Sequence, residues 1–398
     1  MDRIVGRPVS GLPAIAITVE EGVISSVEAL PVEGDDLAAR TALPYVAPAF
    51  VDIQVNGYQG HDYCAPDLQV GTVAAVIGAL AESGTTRHLP TIVTNPPDLI
   101  CRNLRTIADA IDSSAAVEAA IPGVHIEGPY ISAEEGPRGA HDPRYVRDPD
   151  LHEYREWQDA AGGRVRMITL APEKPGALPF IERLRADGVI AAIGHTAASP
   201  EQIRDAVSAG ATFSTHIGNG SHAMLPRFHN YLWEQLAADE LSAGLIADGY
   251  HLPPAVMKSI VRTKGLDRLV LVSDVAVLGG SSPGLYKWGG IDVQVFPDGH
   301  LGLAGTEFFA GAGHLLDRGV AQLISATGVS LEDAVMLCTV NPSRFLGGPI
   351  PAIEEGARAD LVLFDFNPGD DSLRVTRTYA AVQLIYAEKE TEVAAQQC

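Results

Sequence analysis

The 398-residue sequence predicts an α/β fold: a closed (β/α)8 barrel with a small β domain formed from both chain termini. From residue 49 onward, eight short apolar runs rich in β-branched residues follow one another. The segments between them carry the apolar spacing of amphipathic helices. Strands that alternate with helices form a parallel sheet, and eight such repeats close into a barrel. We therefore predict a barrel domain over residues 49–348.

The eight predicted strands read, in chain order, AFVDIQV, TTRHLPTIV, IPGVHIE, VRMITLA, VIAAIGH, ATFSTHI, SAGLIAD and LVLVSDV. Predicted helices between them include 67–82, 99–111 and 254–263, and residues 143–163 predict a helix over the barrel mouth. After the eighth strand, residues 288–303 predict a β-hairpin that turns at Asp298 and Gly299, followed by helices over 312–327 and 331–340.

Both ends of the chain have a different pattern. Residues 1–48 contain two strand-like runs joined at Glu21 and Gly22, which predicts a hairpin. Residues 349–398 return to strand-like runs, ADLVLFDF and AAVQLIYA. Because β segments flank the barrel on both sides, we expect residues 1–48 and 349–398 to pair into one small domain.

The fifth and sixth strands form a βαβ unit that ends in two histidines, His195 and His216. Between them, Ser199 and Pro200 predict a helix start, and Gly210 predicts its end. The two strands must be parallel, so both imidazoles emerge at the same edge of the sheet, about one strand spacing apart. There they could hold a divalent metal.

Composition excludes several classes of function. The chain has 28 Lys and Arg against 50 Asp and Glu, a net charge of -22, which argues against a nucleic-acid partner. No run reaches the roughly 18 apolar residues of a membrane span, and the first residues lack a signal-peptide core. The four cysteines show no paired spacing, which argues against a disulfide framework and a cysteine zinc site. We expect a cytoplasmic enzyme with no membrane partner.

In a (β/α)8 barrel, function is expected at the carboxyl ends of the strands. The polar residues there are Asp52, Gln54, Asn56, Glu127, His195, His216, Asp248, His251 and Asp274. Glu127, His195 and His216 form a suitable zinc triad with an open position for water. Asp274 would face that water, take its proton and pass it to a leaving group. The alternative is that these side chains are polar groups of a barrel interior without catalysis.

Ten motifs cover nearly the whole chain: PAFVDIQVNGYQG, HIEGPYIS, GAH, IGHT, THIGNG, ADGYH, LVSD, LAGT, NPS and GARADLVLFD. In this order they resemble the N-acetylglucosamine-6-phosphate deacetylase family of the amidohydrolase superfamily. The resemblance implies a (β/α)8 TIM barrel with a small β-sandwich domain built from both termini, and a homodimer. It also implies hydrolysis of N-acetylglucosamine 6-phosphate, or a close N-acetyl amino-sugar phosphate, to the free amine and acetate, a reaction of amino-sugar metabolism.

The resemblance implies a role for each residue that matches the family motifs. Glu127, His195 and His216 match the metal ligands. Asp274 matches the general base, which activates a metal-bound water and then protonates the departing amine. His141 matches the residue that helps polarise the acetamide carbonyl. The substrate-binding positions, beside the sugar and its phosphate, are matched by Asn219, Gly220, Arg227 and His251.

One divalent metal is expected, Zn2+, with Fe2+, Mn2+ and Co2+ as alternatives. Many amidohydrolases carry His-x-His on the first strand, and here Gln54 and Asn56 stand at those places. Neutral amides are poor ligands for zinc, so a second tightly held metal is not expected. Hydrogen bonding that orders the barrel mouth is the favoured role of this pair.

Three segments depart from the family pattern: residues 217–225, residues 275–277 after Asp274, and the run Phe308, Phe309, Ala310 and Gly311. In the family these segments line the acyl and sugar pockets. An unphosphorylated N-acetyl sugar or another small amide is therefore an alternative substrate. A catalytically silent barrel that acts as a binding subunit is an alternative of another class.

Four other histidines and one cysteine are not assigned to catalysis or metal binding. His88 and His125 are expected to be hydrogen-bonded interior residues, and Cys64 a buried thiol rather than a nucleophile. His222 and His229 flank the Arg227 segment, where substrate contact and a plain surface loop both remain open.

Overall fold

The computed structural model describes residues 2–11, 13–30, 43–288, 290–306 and 308–389. Eight parallel strands form the central sheet, and each lies beside its neighbours in chain order. We name them barrel strands 1 to 8: Phe50–Val55, Thr85–Val93, Val124–Glu127, Val165–Leu170, Ile190–Ile193, Phe213–Ser214, Ser242–Leu245 and Leu269–Leu271.

Backbone hydrogen bonds close this sheet into a barrel. The amide of Asp274 donates to the carbonyl of Gln54 over 3.0 Å, and the amide of Asn56 donates to Val275 over 2.9 Å. These bonds join the chain beyond barrel strand 8 to barrel strand 1. The predicted (β/α)8 barrel is therefore confirmed, with all eight predicted strands in place.

Helices lie between the barrel strands and after them: Val70–Leu80, Pro97–Ser113, Ala115–Ala120, Leu151–Ala160, Ala177–Ala186, Pro200–Ala209, Tyr231–Ala237, Pro254–Lys264, Leu316–Thr327, Leu331–Met336 and Val340–Phe345. The helix between the two histidines begins as predicted. The hydroxyl of Ser199 accepts from the Gln202 amide at 3.3 Å, and the Gln202 side chain accepts from the Ser199 amide at 2.8 Å. Across the described ranges, no helix combines the length and apolarity needed to span a membrane.

The helix predicted over the barrel mouth is in a different place. Residues 143–150 are irregular, and Leu151–Ala160 packs against Pro97–Ser113 in the outer ring of helices. Trp157 is fully buried and stacks on Tyr130, with ring centroids 5.1 Å apart. The prediction was wrong because the apolar face of this helix is buried against the barrel.

Strands from both termini form one seven-stranded sheet. Its order is Gln383–Ala387, Arg374–Ala380, Leu361–Asp365, Tyr45–Pro48, Asp2–Pro8, Ile15–Glu20 and Val23–Ala29. Ile17 and Ile24 from the N-terminal strands share one buried apolar cluster with Leu361 from the C-terminal strands. The N-terminal and C-terminal parts of the sheet therefore pack together as in a sandwich. The predicted pairing of the termini is confirmed. Parts of the predicted domain, at 31–42 and 390–398, lie outside the described residues.

A three-stranded antiparallel sheet, Gly284–Trp288, Ile291–Val295 and Leu301–Leu303, follows barrel strand 8. Its second turn lies at Asp298 and Gly299, as predicted, and Gly299 has a φ of +87°. The strand Gly284–Trp288 was not predicted. The indole nitrogen of Trp288 donates to Asp62 Oδ2 at 2.9 Å, and this bond ties the small sheet to the barrel mouth.

Candidate active site

The three predicted metal ligands meet at the barrel mouth. Glu127 ends barrel strand 3, and His195 and His216 each lie two residues beyond the end of strand 5 or 6. His216 Nε2 lies 2.9 Å from Glu127 Oε1, and His195 Nε2 lies 3.2 Å from the same oxygen. The two Nε2 atoms are 3.0 Å apart, and all three side chains are buried. The fold therefore brings the predicted ligand set together.

The donor atoms of this cluster fit a divalent metal. His195 Nδ1 lies 2.8 Å from the carbonyl oxygen of Pro137, so Nδ1 carries the proton and Nε2 presents a lone pair. Lone pairs this close repel one another unless a cation or a proton lies between them. In a tetrahedral zinc site with bonds of about 2.0–2.1 Å, ligand atoms lie about 3.3 Å apart, close to the spacing here. Glu127, His195 and His216 thus form a candidate metal site.

Electrostatics keep the carboxylate of this cluster ionised. Burial opposes ionisation of Glu127, but the neighbouring imidazoles of His195 and His216 hold its pKa well below the ordinary value. Gln54 Nε2 also donates to Glu127 Oε1 at 2.9 Å. An ionised carboxylate beside two imidazoles is the charge state that a divalent metal requires of its ligands.

The backbone is left-handed at three site residues: φ is +51° at His195, +28° at His216 and +51° at Asp274. Such angles are uncommon for residues other than glycine and cost about 1–3 kcal/mol each. Each of these residues lies two or three positions after a barrel strand, where the chain turns outward. This cost is of the kind found where a fold holds side chains in place for function.

Asp274 lies beside the cluster and is held by Asn56. Asn56 Nδ2 donates to Asp274 Oδ1 at 2.8 Å. Burial and the negative charge of Glu127 raise the pKa of Asp274 to about 6. Asn56 and Gln54 each donate to a carboxylate, which is the hydrogen-bonding role favoured from the sequence.

His141 joins the cluster from the loop after barrel strand 3. It offers a nitrogen within 4.8 Å of the ligand atoms of Glu127 and His195. Burial, followed by the neighbouring imidazole of His195, lowers the pKa of His141 to about 3, so the ring is neutral. Its Nδ1 lies 2.8 Å from the hydroxyl of Thr94. We assign Nδ1 as the acceptor from Thr94, which leaves Nε2 as a hydrogen-bond donor.

Thr94 is a site residue that the sequence interpretation missed. It directly follows barrel strand 2, a strand that contributed no polar residue to the predicted set. Its position after a strand was the available signal, since carboxyl ends of barrel strands carry function. Trp288 was missed as well because it reaches the mouth from the small sheet, far along the chain.

A cavity of about 320 Å³ opens at this cluster. Asn219, Gly220 and His251 line it, together with Asp274 and His141. The fold therefore brings three of the four predicted substrate-binding residues to the cavity.

His251 and Arg227 differ in placement. His251 Nδ1 lies 2.8 Å from Asp248 Oδ2, a contact that orients the imidazole. Arg227 is exposed, with its guanidinium 5.9 Å from the centroid of the Phe228 ring, and it does not line the cavity. His222 and His229 also lie outside the cavity lining.

The weaker candidates have structural roles. His88 Nε2 lies 2.7 Å from the Tyr63 hydroxyl, and His125 Nε2 lies 2.8 Å from the Thr169 hydroxyl, so both are bonded interior residues as predicted. Burial raises the pKa of Cys64 well above its ordinary value, which leaves a thiol rather than a nucleophilic thiolate.

Residues 45–393 match the family model described as Amidohydrolase family. The chain belongs to the amidohydrolase family. The N-acetylglucosamine-6-phosphate deacetylase of Homo sapiens is 34% identical to this amidohydrolase over 86% of the chain and 83% of that protein. The N-acetylgalactosamine-6-phosphate deacetylase of Escherichia coli O157:H7 is 31% identical over 88% of the chain and 90% of that protein.

Solved structures show the same relationship. The N-acetyl-D-glucosamine-6-phosphate deacetylase of Mycobacterium smegmatis matches the amidohydrolase with a TM-score of 0.85 and 30% identity, over 97% of this chain and 100% of that one. A mutant of that enzyme in complex with N-acetyl-D-glucosamine-6-phosphate matches with a TM-score of 0.84. The resemblance predicted from the motifs is confirmed, and the amidohydrolase is a deacetylase-like hydrolase.

Proposed function

We propose that the amidohydrolase removes the acetyl group of N-acetylglucosamine 6-phosphate, or of a close N-acetyl amino-sugar phosphate, and releases the free amine and acetate. The observation that carries this proposal is the convergence of Glu127, His195 and His216 beside Asp274 in one cavity. The names of its relatives supply the substrate class. The side chains supply a chemistry that can cleave an amide.

Glu127, His195 and His216 would hold the metal. Two imidazoles and a carboxylate suit Zn2+, and Fe2+, Mn2+ and Co2+ accept the same ligand types. When bound, the metal would polarise the acetamide carbonyl and lower the pKa of water.

Asp274 and His141 then carry the proton and the charge of the reaction. Asp274 takes a proton from the attacking water as the water oxygen bonds to the carbonyl carbon. The electron pair of the carbonyl moves to its oxygen, and Nε2 of His141 donates a hydrogen bond to that oxygen. Asp274 returns the proton to the amide nitrogen as the C–N bond breaks. A pKa of about 6 suits a group that must both accept and donate a proton near neutral pH.

The phosphate end of the substrate is assigned to Asn219, Gly220 and His251, with Arg227 as a further contact. His251 is positioned by Asp248 at the cavity wall. Arg227 lies on an exposed segment outside the cavity, so its contact requires that segment to approach the substrate. A guanidinium is well suited to a phosphate dianion, so Arg227 would bind the phosphate once this segment reaches it.

Replacing His251 with Ala is expected to raise KM for N-acetylglucosamine 6-phosphate about tenfold or more, because a hydrogen bond to a charged group contributes about 1.5–3 kcal/mol. The rate of hydrolysis of unphosphorylated N-acetylglucosamine should change little. Initial rates on both substrates measure this, with Arg227→Ala in parallel and Arg204→Ala, an exposed helix residue, as the control. If neither His251→Ala nor Arg227→Ala affects the phosphate ester more than Arg204→Ala does, the substrate is an unphosphorylated amide.

We also propose a homodimer in the cytoplasm. Met224, Phe228 and Trp233 are 88%, 79% and 56% exposed, and apolar exposure of this extent in one region is typical of interfaces. A second copy of the chain is the partner that the family resemblance implies. Free thiols at Cys64, Cys101 and Cys338 fit a reducing compartment.

A further inference from the structure

A second cavity of about 670 Å³ adjoins the active-site cavity and is larger than it. The two cavities share part of their lining, including Val93, His141, Trp288 and Phe309. His141 is the residue assigned to the acetamide carbonyl. The second cavity therefore begins where the acyl group of the substrate would lie, and we call it the acyl extension.

The topology of the barrel shows which part of the substrate faces the acyl extension. Asn219 and His251, the assigned sugar-phosphate contacts, lie after barrel strands 6 and 7. The acyl extension is lined instead by residues after barrel strands 1, 2 and 3, such as Cys64, Asn95 and Tyr145, and by the small sheet. Strands 2 and 6 of an eight-stranded barrel lie on opposite sides of its axis. A substrate with its sugar phosphate over strands 6 and 7 thus directs its acyl chain toward strands 1 and 2.

The wall of the acyl extension is largely apolar. Leu99, Ile291 and Leu303 line it beyond the shared residues, and Phe308 is 45% exposed at its surface. Concave sites lined by aliphatic and aromatic side chains bind apolar groups. The bond from Trp288 to Asp62 orients the indole ring at this wall.

The charged residues that line the acyl extension are Asp62, Glu135, Arg138, Asp142 and Arg144, three acidic and two basic. Arg144 Nε donates to Asp142 Oδ2 at 2.9 Å, and Arg138 Nη1 donates to the carbonyl of His141 at 2.8 Å. Because acidic residues outnumber basic ones in this lining, an uncharged acyl chain is favoured over one that ends in a carboxylate.

We propose that the acyl extension is a subsite for linear saturated acyl groups longer than acetyl. The substrate class then includes N-propanoyl and N-butanoyl amino-sugar 6-phosphates. The inference rests on the proposed function, because the bond broken is the same. Water adds to the carbonyl carbon, the C–N bond breaks, and the amine leaves with the proton from Asp274 while the longer carboxylate is released. Each methylene buried in an apolar site strengthens binding about fourfold.

The test compares N-acetyl-, N-propanoyl- and N-butanoylglucosamine 6-phosphate as substrates of the zinc-loaded full chain. We expect hydrolysis of all three, with KM for the butanoyl compound about tenfold below that for the acetyl compound. Leu99→Trp fills the acyl extension from a position outside the active-site cavity. It should lower the butanoyl-to-acetyl ratio of kcat/KM about tenfold or more. Leu285→Trp, an exposed residue of the small sheet, is the control and should leave the ratio unchanged.

Two results would overturn the subsite while the proposed function stands. One is hydrolysis of the acetyl compound with kcat/KM for the butanoyl compound about a hundredfold lower. The other is a butanoyl-to-acetyl ratio of kcat/KM that is the same in Leu99→Trp as in Leu285→Trp. If Leu99→Trp does not fold, Ile291→Trp fills the same cavity from the small sheet. Hydrolysis of none of the three compounds would overturn the proposed function together with the subsite.

Discussion

Asp274→Asn is expected to lower kcat for acetate release roughly a thousandfold while metal stays bound. The amide keeps the shape of the side chain but cannot take a proton from water, and general acid–base catalysis contributes about 10²–10⁴-fold. None of the three candidate ligands is changed. Initial rates and metal content of the purified variant measure the two effects separately.

The value of kcat/KM of the wild-type chain should depend on pH through the protonation of Asp274. Burial and the charge of Glu127 raise the pKa of Asp274 to about 6, so the carboxylate is the main form above that pH and the acid below it. The value of kcat/KM should therefore fall about tenfold per pH unit below pH 6. The residual activity of Asp274→Asn should not show this fall of kcat/KM below pH 6. Asp98→Asn, an exposed control, should behave as wild type. Full activity in Asp274→Asn would contradict the role of Asp274.

Replacing the candidate metal ligand His195 should also have a large effect. His195→Ala should lose bound zinc and lower acetate release roughly a thousandfold or more, because two remaining ligands cannot hold a catalytic metal tightly. Metal content and initial rates are measured on the same preparations. Chelator-stripped wild type should recover activity when zinc is added back, and His195→Ala should not.

A matched control separates this ligand effect from histidine loss in general. His152→Ala removes an exposed imidazole on the helix Leu151–Ala160 and should change neither metal content nor rate. Tight zinc binding in His195→Ala, with wild-type activity, would contradict the assigned ligand set.

Much of the barrel could be predicted because its repeat is local. Each barrel strand is a short apolar run, and helix starts such as Ser199 and Pro200 carry their own capping signals. The position of Leu151–Ala160 could not be predicted, because an amphipathic pattern shows that a face is buried but not what covers it. The strand Gly284–Trp288 was missed because none of its residues is buried, so no apolar run marks it in the sequence.

In the candidate site, too, some residues could be predicted from the sequence and others could not. Glu127, His195 and Asp274 lie at or just after the carboxyl ends of barrel strands, so chain order alone predicts that they meet at one edge. Trp288 could not be assigned to the mouth from sequence, because its bond to Asp62 joins residues 226 positions apart. Arg227 matched the family motif, but its side chain lies on the exposed surface, a placement that loop conformation decides.

Substrate recognition is tested by measuring acetate release by the zinc-loaded wild-type chain from N-acetylglucosamine 6-phosphate and, in parallel, from unphosphorylated N-acetylglucosamine. We predict kcat/KM roughly a hundredfold higher for the phosphate ester, because the contacts proposed for His251 and Arg227 would stabilise the bound phosphate. Equal rates on the two sugars, or no acetate from the phosphate ester while zinc is bound, would contradict the account.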